Sequence, residues 1–80
     1  MVMIILRLPE VKKRSALSRS SIYLRISQKS FPRPISLGGR AVGWPEMEIE
    51  TLNAARIAGK SDEEICALVA DLEAARKSAF

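Results

Sequence analysis

Four prolines and one glycine pair divide this chain into places that can be helical and places that cannot. Phe31-Pro32-Arg33-Pro34 cannot lie inside a helix, because proline lacks an amide hydrogen and pushes the preceding residue toward extended geometry. Past it, Ile35-Ser36-Leu37 alternates, Gly38-Gly39 tolerates positive φ, and Arg40-Ala41-Val42-Gly43-Trp44 alternates again, which is a hairpin pattern. Pairing across a Gly38-Gly39 turn sets Leu37 opposite Arg40 and Ile35 opposite Val42. Ile35, Leu37, Val42 and Trp44 then share one face over the helices, Arg40 projects from the tip, and Trp44 is a packing residue. Pro45 closes the hairpin and suits a helix start. Helices are therefore confined to the segments on either side of one small ribbon.

On the N-terminal side, Met3–Arg7 reads as a short strand before Pro9, and Pro9-Glu10 opens a helix running to about Arg14. Leu8 and Val11 turn inward, leaving Lys12, Lys13 and Arg14 outside. Ser15-Ala16-Leu17 is a turn of the length that sets two helices across each other, with Leu17 plugging the angle. The next helix covers about Leu17–Ile26, extending to residues 18–28 with its ends, and Ser18 supplies an oxygen for its N-cap. Ile22 and Ile26 fall on one buried stripe. At 100° per residue Ser20, Tyr23, Leu24 and Ser27 lie opposite, with Arg19 between the two faces and Arg25 bordering the core.

On the C-terminal side, Glu46, Glu48 and Glu50 complement the dipole of a third helix. Ile49 and Leu52 face inward, Met47 and Ala55 contribute less, and Gly59 ends it. Ser61-Asp62-Glu63-Glu64 is a capping box for a fourth helix, with Ile65, Leu68, Val69 and Leu72 as its apolar stripe. That stripe either folds back onto the compact unit or pairs with another copy through residues 61–79. The fold class is mainly α with a small β-hairpin: a winged helix-turn-helix over residues 1–59, plus a helical extension over 60–80.

Charge is distributed as unevenly as structure. Through Trp44 there are nine lysines and arginines against Glu10 alone; from Pro45 onward there are four against eight acids. A polyanion is drawn to the first half and repelled by the second. The single cysteine, Cys66, cannot close an internal disulfide and reads as a packing residue. There is no histidine, no nucleophile–base pair and no phosphate loop. These features argue against an enzyme, a cofactor, a metal site or a small-molecule ligand, and for a cytoplasmic, nucleoid-associated protein. Met1–Leu6 is apolar but too short for a signal peptide or a membrane span.

The linked pieces Leu8-Pro9-Glu10-Val11, Leu17-Ser18-Arg19-Ser20-Ser21-Ile22-Tyr23, Phe31-Pro32-Arg33-Pro34-Ile35-Ser36-Leu37-Gly38-Gly39-Arg40-Ala41-Val42-Gly43-Trp44 and Glu48-Ile49 resemble the AlpA family of small prophage regulators. These are relatives of phage excisionases and of the winged DNA-binding domain of MerR-type regulators. The resemblance covers residues 4 to about 57. It implies a winged helix-turn-helix that binds phage or genomic-island DNA and regulates transcription, often of an integrase, or acts in excision. The family usually carries a basic or polar residue at position 24 and an apolar one at 25, whereas this chain has Leu24 and Arg25. Nothing from the family extends to the tail after Gly59.

The expected interface follows. The helix over 18–28 enters a major groove, with Arg19 on a guanine edge or phosphate, Tyr23 on phosphate, Leu24 against a thymine methyl, and Ser20 and Ser27 beside them. The wing over 35–44, through Gly39 and Arg40, meets the adjacent backbone or minor groove. Lys12, Lys13, Arg14, Lys29 and Arg33 meet phosphates. The competing readings are an excisionase-like recombination directionality factor and an interaction adaptor acting through the acidic C-terminal helix. An RNA-binding reading is weaker, because the small hairpin has no paired aromatics for stacking bases.

Overall fold

The computed structural model describes residues 3–79, with side chains through Lys77, so the first two residues of the apolar Met1–Leu6 run lie outside it. The order is β1 (Ile5–Leu6), α1 (Leu8–Ser15), α2 (Arg19–Ser27), β2 (Ile35–Gly38), β3 (Ala41–Pro45), α3 (Glu46–Ile57), α4 (Asp62–Ala75) and a 3-10 turn (Arg76–Ala79). The expected Met3–Arg7 strand shrinks to two residues. It pairs antiparallel with β3, Leu6 opposite Trp44, and so turns the ribbon into a three-stranded sheet ordered β1-β3-β2. With four helices among the described residues, this is a winged helix-turn-helix-like architecture with one added helix.

The four helices, β1, β3 and the loop after α2 contribute to one core: Leu6, Val11, Ile22, Phe31, Trp44, Ile49, Leu52, Ile65 and Val69. Trp44 is wholly buried there. Its indole Nε1 donates to the Pro32 carbonyl at 2.9 Å, and the Phe31 ring meets it edge-on at 6.4 Å. Proline removes a donor from this loop but leaves a carbonyl, and the indole uses it. The loop that breaks α2 is thereby pinned to the sheet.

The hairpin register differs from the expected one. Ile35 faces Gly43, Ser36 faces Val42 and Gly38 faces Ala41, with a bulge between Ser36 and Gly38. The two-residue turn is thus Gly39-Arg40, not Gly38-Gly39. A slip of one residue exchanges the faces of a strand, so Leu37 leaves the core and is 42% exposed. Room for this exists because position 43 is glycine: a Cβ there would meet Ile5 Cγ2 at 2.5 Å and Leu37 Cδ1 at 3.1 Å. Met47, expected to contribute inward, is 63% exposed.

Pro45 caps α3 from outside the helix. Glu48, expected as a dipole residue, is instead buried, with only 2% of its surface exposed. Arg76 grips both its carboxylate oxygens, Nε to Oε2 at 2.8 Å and Nη2 to Oε1 at 2.6 Å. That carboxylate raises the Arg76 pKa above its ordinary value despite opposing desolvation. Arg76 Nη2 also donates to the Arg33 carbonyl, and Glu73 accepts from the Arg33 backbone amide at 2.8 Å. Ile65 and Val69 are buried in the same core. α4 therefore turns these two residues of its stripe onto the compact unit.

Candidate nucleic-acid interface

The start of α2 is set by three serines. Ser18 Oγ accepts from the Ser21 amide at 3.2 Å, donates to Ser21 Oγ at 3.0 Å, and lies 3.2 Å from Ser20 Oγ. No acidic residue stands in this first turn. The positive end of the helix dipole is therefore uncompensated, with small hydroxyls and Arg19 around it. α1 delivers the chain to this point through Ala16, whose φ of 59° ends that helix in the left-handed region.

The far end of α2 closes with paired bonds. The Lys29 amide donates to the Ile26 carbonyl at 3.0 Å, and the Ser30 amide to the Arg25 carbonyl at 2.9 Å. Lys29 holds φ 63° between them, a position where glycine is the usual occupant. A lysine here accepts backbone strain and places a cation at the end of the helix.

Between these caps, Ile22 is buried and Ile26 packs partly against the core, while Arg19, Ser20, Tyr23, Leu24 and Ser27 are exposed. Tyr23 is 39% and Leu24 58% exposed. The Arg19 guanidinium stands over the Tyr23 ring at 5.8 Å, which holds two long side chains in one orientation. The Ser27 hydroxyl turns back to the Leu24 carbonyl at 2.6 Å, so its hydrogen is already engaged. On the ribbon, Arg40 and Gly39 form the exposed tip, Gly39 at φ 56°.

The basic residues divide into two groups. Lys12, Lys13, Arg19, Lys29 and Arg40 are exposed and make no ion pair among the described residues. Arg14 and Arg33 are engaged. Arg14 reaches Glu10 at 3.0 Å and Glu46 at 2.6 Å, and those two hydrogen bonds, Glu10 first, raise its pKa. It ties α1 to α3, and Asn53 Nδ2 adds a bond to the Arg14 carbonyl at 3.0 Å. Arg33 lies 3.5 Å from Glu73. Glu10 is the helical i,i+4 neighbour of Arg14, but Glu46 and Glu73 lie far along the chain from their arginines, so position and charge give no sign of those two pairs.

A groove also runs beside α2 that sequence reasoning did not anticipate. Ser21, Leu24, Arg25 and Gln28 form one wall, and Arg56, Asp62 and Cys66 form the other. Cys66 Sγ reaches the Gln28 carbonyl at 3.8 Å. The only sequence signal for it was Arg25 at the edge of the buried stripe.

The family model described as Prophage CP4-57 regulatory protein (AlpA) matches residues 4–57, from before β1 to the end of α3. The chain belongs to this AlpA family. It is similar to the uncharacterised protein ORF88 of Enterobacteria phage P4, 47% identical over 55 residues, covering 69% of this chain and 62% of that protein. It is also similar to the DNA-binding transcriptional activator AlpA of Escherichia coli strain K12, 40% identical over 52 residues, covering 58% of this chain and 74% of that protein. The chain thus spans less than two thirds of the length of the phage relative. No solved structure matches it. Within this AlpA-family chain, α4 lies outside the matched residues. No helix among the described residues is long and apolar enough to cross a membrane.

Proposed function

We propose that this protein binds double-stranded DNA and regulates transcription in a prophage or genomic-island setting, with α2 in the major groove and the β2–β3 tip on the flanking backbone or minor groove. The observation that carries this reading is the outer arc of α2. It is a short, capped helix whose exposed side holds a basic, an aromatic, small polar and one apolar group, beginning at an N-terminus with no acid in its first turn. Major-groove edges offer acceptors, donors and methyl groups that such side chains can reach. Arg19 contacts a base edge or a phosphate, Tyr23 and Ser20 a phosphate or base edge, and Leu24 a thymine methyl. Lys12, Lys13, Lys29 and Arg40 supply phosphate contacts without first breaking an ion pair. Arg14 and Arg33 are weaker contributors, because a phosphate would have to compete with carboxylates already in place. Membership in the AlpA family and likeness to a protein named as a DNA-binding transcriptional activator support the same class of function.

The test is a gel shift on duplex from upstream of the chain's own gene against random duplex of equal length, repeated across salt concentrations. Preference for the upstream DNA is expected, with affinity falling steeply as salt rises. Equal, weak binding to both would remove the reading.

A further inference from the structure

We infer that the groove between α2 and α4 seats a phosphate of the DNA backbone, held by Arg25 with Arg56. This rests on the reading of α2 as the element that enters the major groove. A helix in that groove lies between two phosphodiester strands, one along each flank. Arg19 and Tyr23 occupy one flank of α2. The opposite flank carries Ser21, Leu24 and Gln28, and these form the near wall of a groove of about 570 Å³.

Arg25 lines this groove from the edge of the buried stripe. It is half-buried, and it pairs with no carboxylate among the described residues, whereas Arg14, Arg33, Arg56, Lys60 and Arg76 all do. A partly buried guanidinium with its charge unanswered, beside the Ser21 hydroxyl and the Gln28 amide, suits an anion with several acceptor oxygens. Arg56 faces it from α3, held only loosely by Asp62 at 3.5 Å, and Asp62 is 93% exposed. A phosphate entering the groove can take Arg56 from Asp62, and Asp62 opposes that entry. The two residues therefore set the affinity of this flank with opposite signs.

The experiment measures duplex affinity against salt for the full chain and its variants, each checked for an unchanged unfolding midpoint. Arg25→Gln should weaken binding roughly tenfold on all sequences alike. It should also lower the slope of log affinity against log salt by about 0.9, the share of one phosphate. Arg25→Lys should restore most of that slope, and Asp62→Asn should raise affinity severalfold. An unchanged slope in Arg25→Gln, while the parent chain still prefers its own upstream DNA, would overturn the groove contact and leave the α2 reading intact. A parent chain with no preference would instead remove that reading. Inorganic phosphate is the remaining arm: with no DNA present, a saturable shift of the Arg25 Nε–H resonance at matched ionic strength would assign the site to a small phosphate ligand, against the inference.

Discussion

α2 and the helices behind it begin and end with the same devices, filled differently. Ser18 and Ser61 both cap a helix through a hydroxyl that accepts from the amide three residues on. At α4 the next three residues are Asp62, Glu63 and Glu64, and Glu64 returns a bond to the Ser61 amide. At α2 they are Arg19, Ser20 and Ser21, with no acid. At the far end, α3 closes through Gly59 at φ 77° with the Lys60 amide on the Ala55 carbonyl, and α2 closes through Lys29 at φ 63° with the Ser30 amide on the Arg25 carbonyl. At both termini α2 holds the less stabilising residue of the two, and in both cases the choice makes the helix end more positive. The end residues of α3 and α4 favour stability, and those of α2 leave positive charge open.

Four substitutions can break or sharpen this contrast. The largest effect belongs to Arg76→Ala, which strands the buried Glu48 carboxylate and should cost about 3 kcal/mol in urea unfolding. The folded protein should keep its DNA affinity. Next is Arg19→Ala, on the open side, which should weaken specific DNA binding by about 2 kcal/mol with little change in the unfolding midpoint.

Lys29→Gly should do the reverse on two axes, stabilising the fold by about 1 kcal/mol through relief of the left-handed strain. Its salt slope for DNA binding should fall by about 0.9. The smallest effect is that of Ser21→Glu, which completes a capping box on α2 and should add about 0.5 kcal/mol of stability while weakening DNA binding. If Lys29→Gly or Ser21→Glu lowered stability, the contrast between the two sets of helix ends would fail.

Acid titration separates the two caps further. Hydrogen bonds from Ser61, its backbone amide first, hold the Glu64 carboxyl below its ordinary pKa of 4.5. The stability this supplies is present above that ordinary value and is lost as pH falls through the lower, folded one. Glu64→Gln, which removes the titrating carboxylate, should therefore flatten the acid limb of the unfolding curve, and Ser18→Ala should leave that limb unchanged.

Much of this arrangement was legible in the residues. The Ser18 cap, the Ser61 box and the exposure of Arg19, Ser20, Tyr23, Leu24 and Ser27 follow from local chemistry and 100° spacing, and Trp44 as a packing residue follows from its place in the ribbon. The ribbon's register did not, because Gly38-Gly39 permits two placements of a two-residue turn and the bulge at Leu37-Gly38 selects the later one. Partnerships across the fold were also out of reach. Arg14 finds Glu46 and Arg76 finds Glu48 only once α1 and the tail have packed on α3. The groove beside Arg25 exists only because α4 folds back, and periodicity gives a helix its face without saying what that face will meet.

Backbone amide resonances of the chain, followed while its upstream duplex is added, examine the DNA-binding surface most directly. Shifts should concentrate at Ser18–Ser27 and at Gly39–Arg40, with the α4 residues buried against the core unmoved. Shifts gathered on Met3–Ile5, Leu37 and Met47, or the same weak, diffuse response to any duplex, would mean that α2 is not the surface that meets DNA.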